Sequence, residues 1–132
     1  MSKYNYFTGA IMDLYPGEVF VFGSNLAGRH GAGAARQAMV LYDAKYGVGE
    51  GMTGDCYAIP TKDHDIKTLS LPHIQVYVDT FKQYAKDNIE KIFIVTQIGC
   101  GLAGYKPENI APMFKDSPLN CWFDAEWRDY LE

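Results

Sequence analysis

The sequence predicts an α/β fold, a three-layer sandwich with helices on both faces of a mostly parallel or mixed sheet. Short apolar runs rich in β-branched and aromatic residues, "EVFVF" (18–22) and "KIFIVTQI" (91–98), read as strands buried on both faces. Segments with a helical apolar period lie between such runs, and strands alternating with helices imply right-handed crossovers between parallel strands. At 132 residues and 48% hydrophobic, the chain has enough apolar surface for one core, so residues 1–132 are expected to form a single domain.

The elements follow in order. "EVFVF" is bounded by Gly17 and Gly23. From Gly33 to Tyr46, apolar or small residues at Ala35, Ala38, Met39, Tyr42 and Tyr46 predict a helix that stops at Gly47. "GVGEGMTGD" (47–55), with four glycines in nine residues, reads as a flexible loop, and "CYAIP" (56–60) as a short strand. Ser70 or Leu71 caps the next helix, with Pro72 in its first turn and Ile74, Val78, Phe81 and Ala85 on one face. After the strand at 91–98, Pro107 opens a helix over 107–115 that Pro112 shortens or kinks. "LNCWFDAEWRDYL" holds one short strand and a final helical turn or two.

Composition excludes several function classes. Twelve basic against sixteen acidic side chains, a formal charge of −4, argue against a broad nucleic-acid surface, so an anionic ligand would be held locally. Three widely spaced cysteines (Cys56, Cys100, Cys121) and three scattered histidines (His30, His64, His73) form neither a disulfide framework nor a metal motif, and no metal or cofactor is implied. No cationic segment followed by an apolar one opens the chain, and no apolar run approaches membrane-spanning length. A cytoplasmic location without membrane contact is the expectation.

Two nucleotide motifs nearly fit the stretch after the first strand, and both fail. "GSNLAGRH" (23–30) has the Walker A spacing, but Arg29 and His30 stand where Lys and Ser or Thr belong. "GAGAAR" (31–36) begins like a dinucleotide fingerprint, yet ends in Arg36 and lies too far from the strand end at Phe22. What survives is the physics that both motifs share. "HGAGAA" at a helix start exposes unpaired backbone N–H groups beside residues too small to keep an anion away, although the same small residues would also serve close packing on the sheet. "IGCGLAGY" (98–105) places Gly99, Gly101 and Gly104 directly after a strand, where successive amides form an anion nest. Two such loops on the carboxyl rim of a parallel sheet suit a diphosphate clasped from both sides.

The order of "GSN", the "HGAGAA" helix, "YAIPTK", an amphipathic helix and "FIVTQIGCGLAGY" resembles the macrodomain superfamily, α/β modules that bind ADP-ribose, over residues 18–115. "IGCGL" followed by "PENI" is most similar to the branch that removes ADP-ribose from acidic side chains. The resemblance implies that Gly23, Ser24 and Asn25 end a strand beside the ribose. Gly31, Ala32 and Gly33 would then cover one side of the diphosphate, and Gly99, Cys100, Gly101, Leu102, Ala103 and Gly104 the other. Lys62, after "YAIPT", matches a lysine that attacks the ribose in that branch, a role requiring a neutral amine. The chain departs from the branch at Ala103, which stands where an acid/base aspartate or a ribose-packing aromatic is usual. "GAIMDL" (9–14) lacks the usual Gly-Asp pair that reads adenine, leaving Asp13 as a substitute.

Other candidates keep two readings each. Asp63 and His64 in "TKDHD" are acid/base groups or parts of a solvated loop. His30 and Arg29 pair with phosphate or point to water, and Tyr105 packs over a ligand edge or is a core or rim aromatic. Cys100 sits where a nest could depress its pKa, or is there for its small size. The expected function is binding of ADP-ribose or a related NAD-derived nucleotide, with hydrolysis of an ADP-ribosyl ester or ADP-ribose phosphate by Lys62 or water. The alternative is a non-catalytic module that reads or sequesters such a signal, including on an ADP-ribosylated protein. The small size would suit a phage or mobile-element protein.

Overall fold

A computed structural model of the chain describes residues 3–11 and 13–132. Six strands form one sheet: β1 (Asn5–Phe7), β2 (Glu18–Asn25), β3 (Gly51–Thr53), β4 (Cys56–Lys62), β5 (Ile92–Val95) and β6 (Cys121–Asp124), in the spatial order β1-β6-β5-β2-β4-β3. Every pairing is parallel except β3 with β4 at the edge. The helices are α1 (Gly33–Tyr42), α2 (Leu71–Asp87), α3 (Pro107–Ile110) and α4 (Arg128–Leu131), with 3-10 turns at Ala111–Phe114 and Ala125–Trp127.

Alternation along the central strands builds a core on each face. On β2, Val19 and Val21 join one cluster while Phe20 and Phe22 join the other; on β4, Tyr57 and Ile59 oppose Cys56 and Ala58 in the same way. The larger core lies under α2, whose Ile74, Val78, Phe81 and Ala85 are all fully buried. Phe81 meets the rings of Tyr57, Phe93 and Phe114 at 5.1–6.1 Å in edge-on geometry, and each such buried ring is worth roughly 1.5–3 kcal/mol of transfer energy. The smaller core lies under α1, where Ala35, Ala38 and Tyr42 cover Phe20 and Phe22. Ser70 caps α2 by accepting from the His73 N–H, with Pro72 in the first turn.

Several boundaries differ from the sequence expectation, each for a tertiary reason. Strand β2 runs three residues past Phe22, because Gly23, Ser24 and Asn25 continue to pair with β4 as far as Lys62. Helix α1 stops at Tyr42 rather than Tyr46: Asp43 turns left-handed (φ 63°) and its N–H returns to Ala38 O. That turn depends on Gly54, where a Cβ would lie 2.3 Å from Asp43 O. The glycine-rich segment 47–55 is not all loop, since Gly51–Thr53 is the antiparallel edge strand β3. At the amino end lies β1, which the sequence does not announce and which pairs with the expected carboxyl-terminal strand β6. After α3 the chain tightens into a 3-10 turn at Pro112, whose missing N–H cannot continue an α-helix. No helix among the described residues is long and apolar enough to cross a membrane.

Candidate functional site

The carboxyl ends of β2, β4 and β5 meet the amino end of α1 around a cavity of about 480 Å³. Strand β2 contributes Gly23, Ser24 and Asn25; β4 contributes Thr61 and Lys62; and the segment after β5 contributes Thr96, Gln97, Ile98, Gly99, Gly101, Leu102 and Ala103. Arg29, Gly31, Ala32, Gly33, Ala34, Ala35 and Ile66 complete the wall. Its formal charges are the two cations Arg29 and Lys62, and no described residue lining it is acidic. In a chain of net charge −4 this is a local reversal of sign.

The amides are more telling than the side chains. Helix α1 has Ala32 at its cap with no side-chain hydrogen bond and no acidic residue in its first turn. The N–H groups of Ala32, Gly33, Ala34 and Ala35 meet no acceptor among the described residues. Across the cavity, the N–H groups of Gly99, Gly101, Leu102 and Ala103 are equally unengaged. The two sets approach each other where a Cβ on Gly33 would lie 3.5 Å from Leu102 Cδ1. Gly33 (φ 61°) and Gly99 (φ 76°) take left-handed backbone that side chains resist, which turns the chain so that these amides line the cavity.

Hydrogen bonds hold both loops in shape. The Asn25 carboxamide brackets the first loop, with Nδ2 donating to Arg29 O and Oδ1 accepting from Arg29 N, both at 2.9 Å. Ser24 Oγ donates to Gly49 O. In the second loop Tyr105 N donates to Gly99 O and Gly104 N to Gly101 O, while Thr68 Oγ1 donates to Ala103 O. Asn25, expected at the ribose, lines the cavity but is first of all a loop brace. Tyr105 lies outside the cavity wall, and its hydroxyl donates to Leu69 O at 2.7 Å, so it ties the second loop to the chain leading into α2.

Other sequence candidates also fall away from the cavity. His30 is fully buried, edge-on to the Phe22 ring at 5.3 Å, and its Nε2–H donates to Lys45 O. A carbonyl only accepts, so the proton sits on Nε2 and the unpartnered Nδ1 faces an interior in which it can meet no phosphate. The Asp63 carboxylate accepts from the N–H groups of Asp65 and Lys67, which hold it below the usual carboxylate range, and it shapes a turn. His64 is exposed beside it, and neither residue lines the cavity. Cys100 also lies off the wall, and burial pushes its thiol up to about 11, the opposite of an activated thiolate. Gly104 shapes the loop from behind. Asp13 is exposed and lines no part of this cavity, and Met12 of "GAIMDL" is outside the described residues. Among the described residues no group of three His, Cys, Asp or Glu side chains is arranged to hold a metal.

Sequence reading missed Thr61, Thr96 and Gln97. The hydroxyls of Thr61 and Thr96 return to Ser24 O and Val21 O of β2, which ties both cavity-lining residues to the central strand. Their position as polar residues ending apolar runs was the available signal. A second cavity of about 300 Å³ lies alongside, sharing Ala34, Thr96 and Gln97 with the first.

No family model matches the chain, and no curated protein matches it. Among solved structures it is similar to a Bacteroides thetaiotaomicron protein of unknown function, 13% identical, with a TM-score of 0.65 over 92% of this chain and 97% of that one. It is also similar to Thermosipho africanus DarTG in complex with ADP-ribose, 16% identical, with a TM-score of 0.56 over 81% of this chain and 38% of that one. At such identities the shared property is the fold. The chain has a macrodomain-like α/β fold, built on a mixed six-stranded sheet between helical layers.

Proposed function

We propose that the larger cavity binds ADP-ribose or a related NAD-derived nucleotide, its diphosphate lying between the amino end of α1 and the loop after β5. The observation that carries this reading is the facing pair of unengaged amide sets, Ala32–Ala35 on one side and Gly99, Gly101, Leu102 and Ala103 on the other, in a cavity whose formal charges are both positive. Of these residues Ala35 and Gly99 are buried and Ala34 and Ala103 half-buried, so their N–H groups are costly unless a ligand or water satisfies them, and a helix start adds a favourable dipole for an anion. Arg29 reinforces the diphosphate, and the ribose lies toward Asn25 and Lys62, which face each other across the β2–β4 register.

The site favours a module that holds its ligand, free or on an ADP-ribosylated protein, over an efficient hydrolase. The two acid/base candidates from the sequence are engaged elsewhere: the Asp63 carboxylate in its turn, His64 exposed beyond it. Ala103 has no proton to give. Hydrolysis remains a second reading on one observation, that Lys62 lines the cavity and its ammonium has no acceptor among the described residues. A lysine able to lose its proton there would attack the anomeric carbon as a nucleophile.

Calorimetry with ADP-ribose, ADP, AMP and NAD tests the binding, with ADP-ribose and ADP expected to bind more tightly than AMP. Binding of none of the four would overturn it. Turnover of an ADP-ribosylated peptide by the native protein, lost in Lys62→Ala, would replace the module by the enzyme.

A further inference from the structure

We infer that the end of the sheet opposite the larger cavity is a self-association surface, on which two copies of this chain meet about a two-fold axis between Glu90 and Lys91. Strands β6, β5 and β2 are parallel neighbours, so the loops leading into them lie side by side at their amino ends. Those loops carry Leu119, Ile89 and Tyr15 at 66%, 75% and 76% exposure, with Ile92 at the start of β5 at 38%. Tyr15 and Ile89 are the most exposed large hydrophobic side chains among the described residues. Four such side chains present an apolar patch of roughly 300–600 Å², a size that on monomers often marks an interaction surface.

Hydrogen bonds hold this patch in shape. Ile92 N donates to Gly17 O at 2.9 Å, joining the loop before β5 to the one before β2. On the other side Phe93 N donates to Asn120 O, and Asn120 Nδ2 lies 3.0–3.2 Å from Ala85 O, Asn88 O and Lys91 O. Asn5 Nδ2 donates to Leu119 O at 2.9 Å. A surface already fixed loses little freedom when another surface covers it.

The occupant follows from the order of residues 89–92, Ile-Glu-Lys-Ile. A two-fold contact is isologous, so that if one residue meets a second on the other copy, the second meets the first. About an axis between Glu90 and Lys91, Ile89 meets Ile92 of the second copy and Glu90 meets its Lys91, each contact being made twice. Glu90 is exposed and Lys91 half-buried, and neither has an ion-pair partner among the described residues. A strongly acidic or basic partner would set one of these charges against its own sign, whereas a second copy answers both. Covered on both copies, the apolar patch and its polar rim come to about 1,200 Å², the low end of specific interfaces, so the dimer is weak and reversible. The larger cavity lies at the carboxyl ends of the strands and stays open on each copy, and the association holds whether or not that cavity takes a nucleotide.

Sedimentation velocity over a concentration series from low micromolar to millimolar tests this. The native protein should pass reversibly from monomer to dimer. Ile89→Ser changes an exposed side chain and should raise the dimer Kd about tenfold or more. Glu90→Lys should also weaken the dimer, by setting lysine against lysine. Combined with Lys91→Glu it exchanges the two charges and should restore near-native association, a rescue that requires the partner to be a second copy. Unchanged melting of each variant confirms that it folds. A native chain that is monomeric throughout the series, leaving this face to a different partner, would overturn the inference. So would a dimer indifferent to Ile89→Ser, or a double variant that associates no more tightly than Glu90→Lys alone.

Discussion

Substituting Gly101 by alanine should separate binding from folding. Gly101 lines the cavity proposed for the diphosphate and its backbone is outside the left-handed region, so an alanine there is unstrained. A Cβ built on it meets nothing within 4 Å. Fewer unfolded conformations should then leave stability unchanged or raise it by roughly 0.4–1 kcal/mol. The same methyl stands beside the unengaged amides of Gly101, Leu102 and Ala103, in the space where a phosphate oxygen would approach. Loss of one charge-assisted hydrogen bond costs roughly 1.5–3 kcal/mol, which is about a ten- to hundredfold rise in Kd. Urea denaturation and calorimetry with ADP-ribose, on one preparation, read the two signs separately. Native affinity in a fully folded Gly101→Ala protein would refute the placement of phosphate at this loop, and a large loss of stability would refute the open space.

Other substitutions act through packing and charge. Gly28→Ala should destabilise by roughly 2 kcal/mol or more, since its Cβ would lie 2.2 Å from Gly47 C on a left-handed backbone (φ 69°); the urea midpoint reads this. Phe81→Ala removes a fully buried ring and should cost about 3–5 kcal/mol, a large part of a typical domain's stability, seen as a lowered melting temperature. The thiols of Cys56 and Cys121 are pushed up to about 12 by burial, as is the Tyr57 phenol, from ordinary values of 9.0 and 10.0. The folded chain thus holds protons that the unfolded chain releases above pH 9, so stability should fall as pH rises from 9 toward 12 and be insensitive to these groups below 8. Chemical denaturation at a series of pH values checks that sign. Arg29→Ala keeps the backbone that Asn25 brackets and removes the side chain beyond Cβ with its guanidinium. It should weaken nucleotide binding severalfold at low ionic strength, with the difference shrinking at high salt, whereas the Gly101→Ala loss should persist.

How far the sequence could be read depended on how local each signal was. Helix α2 was legible almost to the residue because Ser70, Pro72 and the Ile74–Ala85 stripe are neighbours along the chain. The two glycine loops were legible because a strand end and a helix start impose their own chemistry on short segments. Strand β1, at only three residues, exists because β6 is beside it, and β3 because Gly54 lets the chain close against Asp43. In the sequence His30 stays open between phosphate and water for the same reason: beside a glycine loop either is reasonable, and only Phe22 and Lys45 O, eight and fifteen residues away, make it part of the interior. Asp63 could be read from sequence as an acid/base group or as part of a solvated loop, and the N–H groups of Asp65 and Lys67, donating to its carboxylate, place it in a turn.

The same distinction explains how an acidic chain would form the proposed anion site without a basic surface. Side-chain charges would have appeared in the composition, as a surplus of lysine and arginine, and here the surplus is acidic. Backbone amides do not appear in composition at all. They become a site only when small residues expose them and topology sets two exposed runs facing each other, and the parallel order β5-β2-β4 does this by bringing both loops to one rim. A ligand held chiefly by such neutral, fixed donors pays little reorganisation on binding, and its affinity should depend more on loop shape than on ionic strength. Substitutions that reshape the loops should therefore weaken binding more than those that alter net charge.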